Sequence, residues 1–225
     1  LEFRRVLFRS NEAWRIGWRA FGLRFGAVTL SALLTATAFP PLNWSQIVWL
    51  ALIPAWIVWF RSPPWQAALW GWWWESLYAF VSFYWLWEIQ PAIPYGIAPA
   101  FGAYFIPLAA LTPVLYRFFL TPVKLQLAGY EAEQAAPPPA WWREIALAAT
   151  LAALFVVTEY LRSRVLPWNY LSATQWRNYG LIGLCAFTGS YGLSFLIALV
   201  NAAAAVAVLA MLRMGKNYRR AWGLL

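Results

Sequence analysis

Hydrophobic residues occur in long uninterrupted runs along this chain, and short polar or proline-rich connectors separate the runs. A helix needs about 20 apolar residues to cross the roughly 30 Å hydrocarbon core of a bilayer. Six runs approach that length, and they lie near residues 21–39, 44–60, 65–87, 97–120, 141–161 and 189–212. The pattern therefore predicts an all-α fold, a polytopic transmembrane helix bundle with about six spans and the start of a seventh near Ala221.

The runs lack the alternation of apolar and polar residues that the strands of a membrane β-barrel require. Tryptophans flank many of them, which is typical of side chains at the interface between lipid and water. The tryptophans in question are Trp44, Trp59, Trp65, Trp85, Trp87, Trp141, Trp142 and Trp168.

The composition agrees with a membrane protein. Charged residues make up 11% of the chain, against about 25% in a soluble domain. The mean hydropathy is +0.56. The net charge of +9 does not indicate a nucleic-acid partner, because the basic residues lie in connectors between apolar runs and not on one face of a soluble fold.

The distribution of basic residues predicts the orientation. Of the 17 lysines and arginines, 14 lie in the N-terminal segment and in alternate connectors. Positive residues favour the cytoplasmic side, so we expect the N-terminus in the cytoplasm. The other three, Arg162, Arg164 and Arg177, follow the fifth run in a connector that then faces outward. Topology does not require basic residues there, which suggests a local use for them.

Residue usage excludes several kinds of chemistry. The chain has no histidine and no aspartate, which removes Ser-His-Asp and Cys-His catalysis and most zinc sites. We expect neither a metal nor a cofactor. The single cysteine, Cys185, excludes an internal disulfide and has apolar neighbours, which is typical of a packing role.

The connector after the fifth run holds the main candidate residues. Glu159 and Arg162 are three positions apart, so they share a helix face and can form an ion pair. Either this pair locks the helix end, or the arginines bind a phospholipid phosphate. Pro167 fixes the chain direction and Trp168 can lie at the interface. We expect a structured surface or re-entrant loop, with Arg164 and Gln175 as further lipid or domain contacts.

Glu75 lies near the middle of the third run. A carboxylate inside a membrane is costly and often functional. One interpretation is a hydrogen-bonded glutamate that faces Ser76, Tyr78 or a tryptophan N–H. The other is a proton relay in a small transporter or channel.

Five motifs occur in an order that resembles the membrane domain of bacterial apolipoprotein N-acyltransferase. They are AFPPLNW after the first span, LALIPAW in the second, YWLW at the end of the third, TEYLRSRVLPWNYLSATQ after the fifth and GSYGLSFLIALVNAA in the sixth. The resemblance covers most of the chain from Phe21 onward. Any one motif is weak, but the ordered set is fairly specific.

The resemblance implies an eight-helix membrane domain in the bacterial inner membrane and a nitrilase-like domain on its outer side. In the family, a Glu-Lys-Cys triad of that domain takes an acyl chain from a phospholipid. The enzyme then transfers the chain to the N-terminal diacylglyceryl-cysteine of an apolipoprotein. The implied partners are thus a phospholipid acyl donor, a diacylglyceryl apolipoprotein and membrane lipids. No residue of the triad can be assigned here, so we expect this chain to anchor the catalytic domain, to admit lipids and to be inactive alone.

Several positions depart from the family pattern. Leu166 stands where the family often has an aromatic residue, Ser172 where it often has glycine, and Glu75 is unusual for the third helix. We interpret residues 1–10 as added or artefactual and 11–225 as the transmembrane domain, cut before its catalytic part. Besides the transporter, a stand-alone membrane scaffold remains an alternative.

Overall fold

A computed structural model describes the chain over residues 17–120 and 141–221, with side chains up to residue 212. Every regular element within these ranges is helical, which confirms the predicted all-α class. The helices are α1 (Trp18–Thr37), α2 (Val48–Ala51), α3 (Ile53–Phe60), α4 (Pro64–Ser82), α5 (Leu86–Ile89), α6 (Ile93–Leu120), α7 (Trp141–Ser163) and α8 (Tyr179–Ala221), with 3₁₀ turns at Ser45–Ile47 and Leu171–Gln175.

Four helices are long and apolar enough to cross a bilayer: α1, α6, α7 and α8 as far as Leu212. The second predicted span is a shorter apolar stretch, Ser45–Phe60. Helix α4 has 19 residues, about 28 Å, but its tryptophans and polar side chains lower its hydropathy. The described helices therefore support a membrane bundle, while the predicted count of six spans stays a prediction. Residues 1–10, the proline-rich connector 121–139 and the continuation of a seventh span lie outside the described ranges.

The second predicted span is not one helix, because it breaks at Leu52 between α2 and α3. Asn201 of α8 bridges the break. Its side chain is fully buried, and its Oδ1 accepts a hydrogen bond from the Leu52 N–H at 2.9 Å. Its Nδ2 donates to the Val48 carbonyl at 2.9 Å. A buried backbone group needs a partner, so this one side chain makes the break possible inside the bundle.

Helix α3 lies at the centre and packs against α1, α4, α6 and α8. Its Trp56 and Trp59 are fully buried, and Trp59 meets the buried Trp74 of α4 edge to face, with ring centroids 6.1 Å apart. The prediction that Trp59 belongs to an interfacial belt is therefore wrong. Its neighbours along the chain are as apolar as those of a belt tryptophan, and only the helix packing turns it inward.

Helices α4 and α6 make the most extensive contact of the bundle. Two glycines permit the close approach. A Cβ at Gly71 would overlap the Cβ of Ala109, and a Cβ at Gly102 would overlap the hydroxyl of Ser76. Small residues allow transmembrane helices to approach closely in this way.

Helix α8 contains a break at Gly189, whose φ is 67° and ψ is −178°. This conformation is essentially restricted to glycine. The predicted sixth span, 189–212, thus begins at the break, and Tyr179–Thr188 forms a separate helical segment before it.

Candidate functional site

Three connectors meet at one end of the bundle, which we call the loop end: residues 38–47, 83–92 and 164–178. Contacts between them show that they share this end. The Gln175 Nε2 donates to the Ser45 carbonyl at 2.8 Å, and the Trp176 Nε1 donates to the Asn43 Oδ1 at 3.1 Å. Gln175 is fully buried, so it acts as a bridge between two connectors.

The connector 164–178 turns at Asn169, which has a positive φ of 56°. Asparagine tolerates this left-handed conformation better than most residues. Two helices hold the turn through one carbonyl. The Asn169 oxygen accepts a hydrogen bond from Arg162 Nη2 at 2.9 Å and another from the Tyr78 hydroxyl at 2.8 Å. The turn is thereby fixed to both α7 and α4.

Arg162 forms its ion pair with Glu75 of α4, with Nε and Oε1 3.5 Å apart. Both side chains are about 1% exposed. The guanidinium carbon also lies 5.3 Å from the centroid of the Phe101 ring. Arg162 thus pairs with Glu75, and the prediction that it pairs with Glu159 is wrong. The spacing within one helix identified a face, but the nearest opposite charge comes from another helix.

Glu159 instead binds the backbone of the connector. Its Oε1 accepts a hydrogen bond from the Leu171 N–H at 2.7 Å, at the start of the 3₁₀ turn. The next amide, Ser172 N–H, donates to the hydroxyl of Ser194 on α8 at 3.1 Å. Two successive amides of the connector are therefore held by two further side chains from the bundle.

These contacts define what we call the clamp: Glu75, Tyr78, Glu159, Arg162 and Ser194. Its charged atoms are not saturated by protein partners. Glu75 Oε2, Glu159 Oε2 and Arg162 Nη1 are buried without a protein hydrogen bond. Truncation of Glu75 or Arg162 would leave the other charge buried and uncompensated, which is costly in a low dielectric. The clamp therefore holds the connector in one conformation.

The other predicted residues lie on the outer surface of the clamped connector. Arg164 and Pro167 are exposed, and Trp168 is half exposed. The Trp168 ring meets Trp85 edge to face, with centroids 5.0 Å apart. The structure thus divides the predicted set into three buried residues that hold the connector (Glu159, Arg162 and Gln175) and three exposed ones that it presents (Arg164, Pro167 and Trp168).

A shallow pocket of about 580 Å³ opens at the loop end, and we call it the aromatic pocket. Tryptophans from two connectors and the Asn169 amide border it. Its lining residues are Phe39, Pro40, Trp85, Trp168, Asn169, Ala173 and Trp176. A mostly apolar wall with a few polar groups suits a ligand that has both an apolar chain and a polar part.

Sequence reasoning missed Asn169 and Ser194 as members of this arrangement, and it considered Tyr78 only as a neighbour of Glu75 and not as a partner of the Asn169 carbonyl. Asn169 carried a weak signal, because an asparagine after a Pro-Trp pair is a common site for a turn. Cys185 is half buried and packs against the core beside Leu181, as expected for a structural cysteine.

The apolar helices and the ordered loop end define the class of this molecule as a polytopic helical membrane protein. A family model for the apolipoprotein N-acyltransferase N-terminal domain matches residues 31–203. The apolipoprotein N-acyltransferase of Geobacter metallireducens is 30% identical over 176 residues, which are 76% of this chain and 31% of that protein. The chain therefore belongs to the apolipoprotein N-acyltransferase N-terminal domain family. It spans less than a third of the length of this relative.

Proposed function

We propose that this chain is the membrane domain of an apolipoprotein N-acyltransferase in the bacterial inner membrane. The complete enzyme would transfer an acyl chain from a phospholipid to the N-terminal diacylglyceryl-cysteine of a lipoprotein. This domain would anchor the catalytic domain and admit the lipid substrates. The observation that carries the proposal is the clamp, because a connector fixed by three helices is a rigid platform at one end of a membrane bundle.

The exposed face of the connector supports a contact role. Arg164 is free to reach a lipid phosphate or an acidic group of the catalytic domain, and arginine binds phosphate well. Trp168 lines the aromatic pocket, where an apolar chain would be shielded from water. The buried Glu159, Arg162 and Gln175 act indirectly, since they hold the connector in place.

The transporter alternative relied on Glu75 as an intramembrane proton carrier. Glu75 is instead paired with Arg162 and sits in the clamp. No other feature of the described residues favours transport, so we retain the transferase as the proposed function.

The test is an acylation assay in a chimera. Residues 21–225 replace the corresponding part of the Geobacter metallireducens relative, and conversion of diacylated to triacylated lipoprotein is measured. We expect conversion with the unchanged domain. We expect Trp168→Ala and Arg164→Gln each to lower the rate about tenfold, equivalent to about 1.4 kcal/mol of lost transition-state binding.

Matched controls lie outside the loop end. Trp141 is 73% exposed on α7, and Arg61 is exposed between α3 and α4. Trp141→Ala and Arg61→Gln should leave the rate unchanged. A well-inserted chimera without conversion would contradict the transferase proposal. Full conversion by the Trp168 and Arg164 variants would contradict only their contact role.

A further inference from the structure

Helix α8 is too long for one membrane span. Its stretch from Tyr179 to Leu212 has 34 residues, about 51 Å as a helix, against a hydrocarbon core of roughly 30 Å. The part after Gly189 already measures about 35 Å. The first ten residues, Tyr179–Thr188, are therefore not needed to cross the bilayer, and we call them the arm.

The arm is separated from the span by the glycine conformation at Gly189. A hydroxyl stabilises the end of the arm: Thr188 Oγ1 donates to the Leu184 carbonyl at 3.1 Å, one turn earlier. At its beginning, Asn178 Oδ1 accepts a hydrogen bond from the Leu181 N–H at 3.4 Å. The arm is thus a helix with its own beginning and end.

The arm has one face on the protein and one face away from it. Leu181 and Cys185, four residues apart, pack against the core of the bundle. Phe187, Ile182 and Tyr179 point away from it, and Phe187 is 90% exposed. No charged residue occurs between Asn178 and Leu212, and the exposed surface of the arm is apolar apart from the hydroxyl groups of Tyr179 and Thr188.

The residues just before the arm are typical of the membrane interface. The guanidinium carbon of Arg177 lies 4.4 Å from the centroid of the Trp176 ring, and both side chains are exposed. Tryptophan and arginine anchor helices at the level of lipid headgroups. Trp176 also lines the aromatic pocket, so the arm starts at the edge of the loop end.

We propose that the arm is an interfacial helix whose outer face, with Ile182 and Phe187, is embedded among the acyl chains of the lipid leaflet at the loop end. Its length, its lack of charge, the break at Gly189 and the Trp176–Arg177 anchor together identify lipid as the occupant of this face. The inference does not depend on acyl transfer, and its test does not measure that activity.

The test uses fluorescence quenching in the full chain reconstituted in phosphatidylcholine liposomes. Cys185→Ala removes the native cysteine, and Phe187→Cys then carries a bimane label. Lipids with a doxyl group at carbon 5 or carbon 12 of the acyl chain report the depth of the label, and iodide reports contact with water. Ile182→Cys provides a second site on the same face if the first variant folds poorly.

Two positions calibrate the measurement. Arg164→Cys, on the exposed connector, should be quenched by iodide. Val200→Cys, on the exposed side of α8 about 17 Å below Gly189, should be quenched best by the carbon-12 doxyl lipid. We expect the Phe187 label to be quenched more by the carbon-5 lipid than by the carbon-12 lipid, and at least fivefold less by iodide than the Arg164 label.

Two results would overturn the proposal. Iodide quenching at Phe187 equal to that at Arg164 would mean that the arm projects into water. Protection from both lipid and iodide would mean that protein covers the face. Loss of that protection on dilution of the protein in the liposomes would then identify a second copy of the chain as the cover.

Discussion

At the scale of single residues, the ion pair between Glu75 and Arg162 explains why a carboxylate is tolerated inside α4. Neither charge could remain buried alone, and each comes from a different helix. Arg162 in addition fixes the Asn169 carbonyl at 2.9 Å, so the pair connects the bundle interior to the connector. Glu75, which is unusual at this position in the family pattern, is thus explained by its ion pair with Arg162.

This pair gives a prediction on stability. Glu75→Leu should lower the free energy of unfolding by about 3 kcal/mol, because Arg162 is left as an uncompensated buried charge. Unfolding in bicelles, followed by the binding of a steric trap to an unfolded tag, measures the change. The double variant Glu75→Leu/Arg162→Met should lose less than the sum of the two single variants.

Glu88 provides the control, since it is an exposed glutamate at the loop end. Glu88→Leu should change the stability by less than about 0.5 kcal/mol. A loss in Glu75→Leu as small as that in Glu88→Leu, with additive losses in the double variant, would mean that the pair has no coupling.

At the scale of elements, the contact between α4 and α6 positions two of the five clamp residues. Glu75 and Tyr78 lie on α4, four and seven residues after Gly71, one of the two glycines at which α4 and α6 approach closely. The packing of these two helices therefore sets how far the two side chains reach toward Arg162 and Asn169. A small residue in the interface has an effect on the site without touching it.

Gly102→Ala should destabilise the bundle by about 1–3 kcal/mol, since the new methyl group overlaps the Ser76 hydroxyl and approaches the Trp72 carbonyl to 2.6 Å. Backbone has to move to relieve that contact. Thermal unfolding of the protein in detergent, compared with the unsubstituted chain, measures the change.

Gly96 lies on the same helix and has open space around its Cβ position. Gly96→Ala should be neutral or slightly stabilising, because alanine favours a helix over glycine. Equal stability of the Gly102 and Gly96 variants would show that the α4–α6 approach is not tight.

At the scale of the whole molecule, the loop end and the basic connectors should lie on opposite sides of the membrane. The positive residues outside the loop end predict that the N-terminus is cytoplasmic and that the loop end faces outward. The three connectors of the loop end contact one another, so all three must lie on the same side of the membrane. The orientation itself is a prediction.

Cysteine labelling tests the orientation in a Cys185→Ala background. A membrane-impermeant maleimide added to intact spheroplasts should label Arg164→Cys and Glu88→Cys. Arg61→Cys, between α3 and α4, should react only after the membrane is permeabilised. The reverse pattern would place the clamp and the aromatic pocket on the cytoplasmic side and would contradict the proposed function.

The helical class, the membrane environment and the importance of the connector after α7 all follow from the amino-acid sequence alone. These properties depend on sums over local stretches, such as the length of an apolar run or the side on which basic residues accumulate. The order of short motifs also indicated the family, which the comparisons confirmed. These predictions do not change when a predicted helix boundary is wrong by a few residues.

The pairing of charges and the burial of individual tryptophans, in contrast, depend on how the helices pack. Arg162 pairs with Glu75 of α4 and not with its sequence neighbour Glu159. Trp59 is buried in the bundle, and Asn201 accepts the hydrogen bond of the Leu52 N–H at the break between α2 and α3. Each outcome depends on the rotation and spacing of helices that are distant in sequence. Local periodicity gives the face of a helix, but the partner on that face is set by packing.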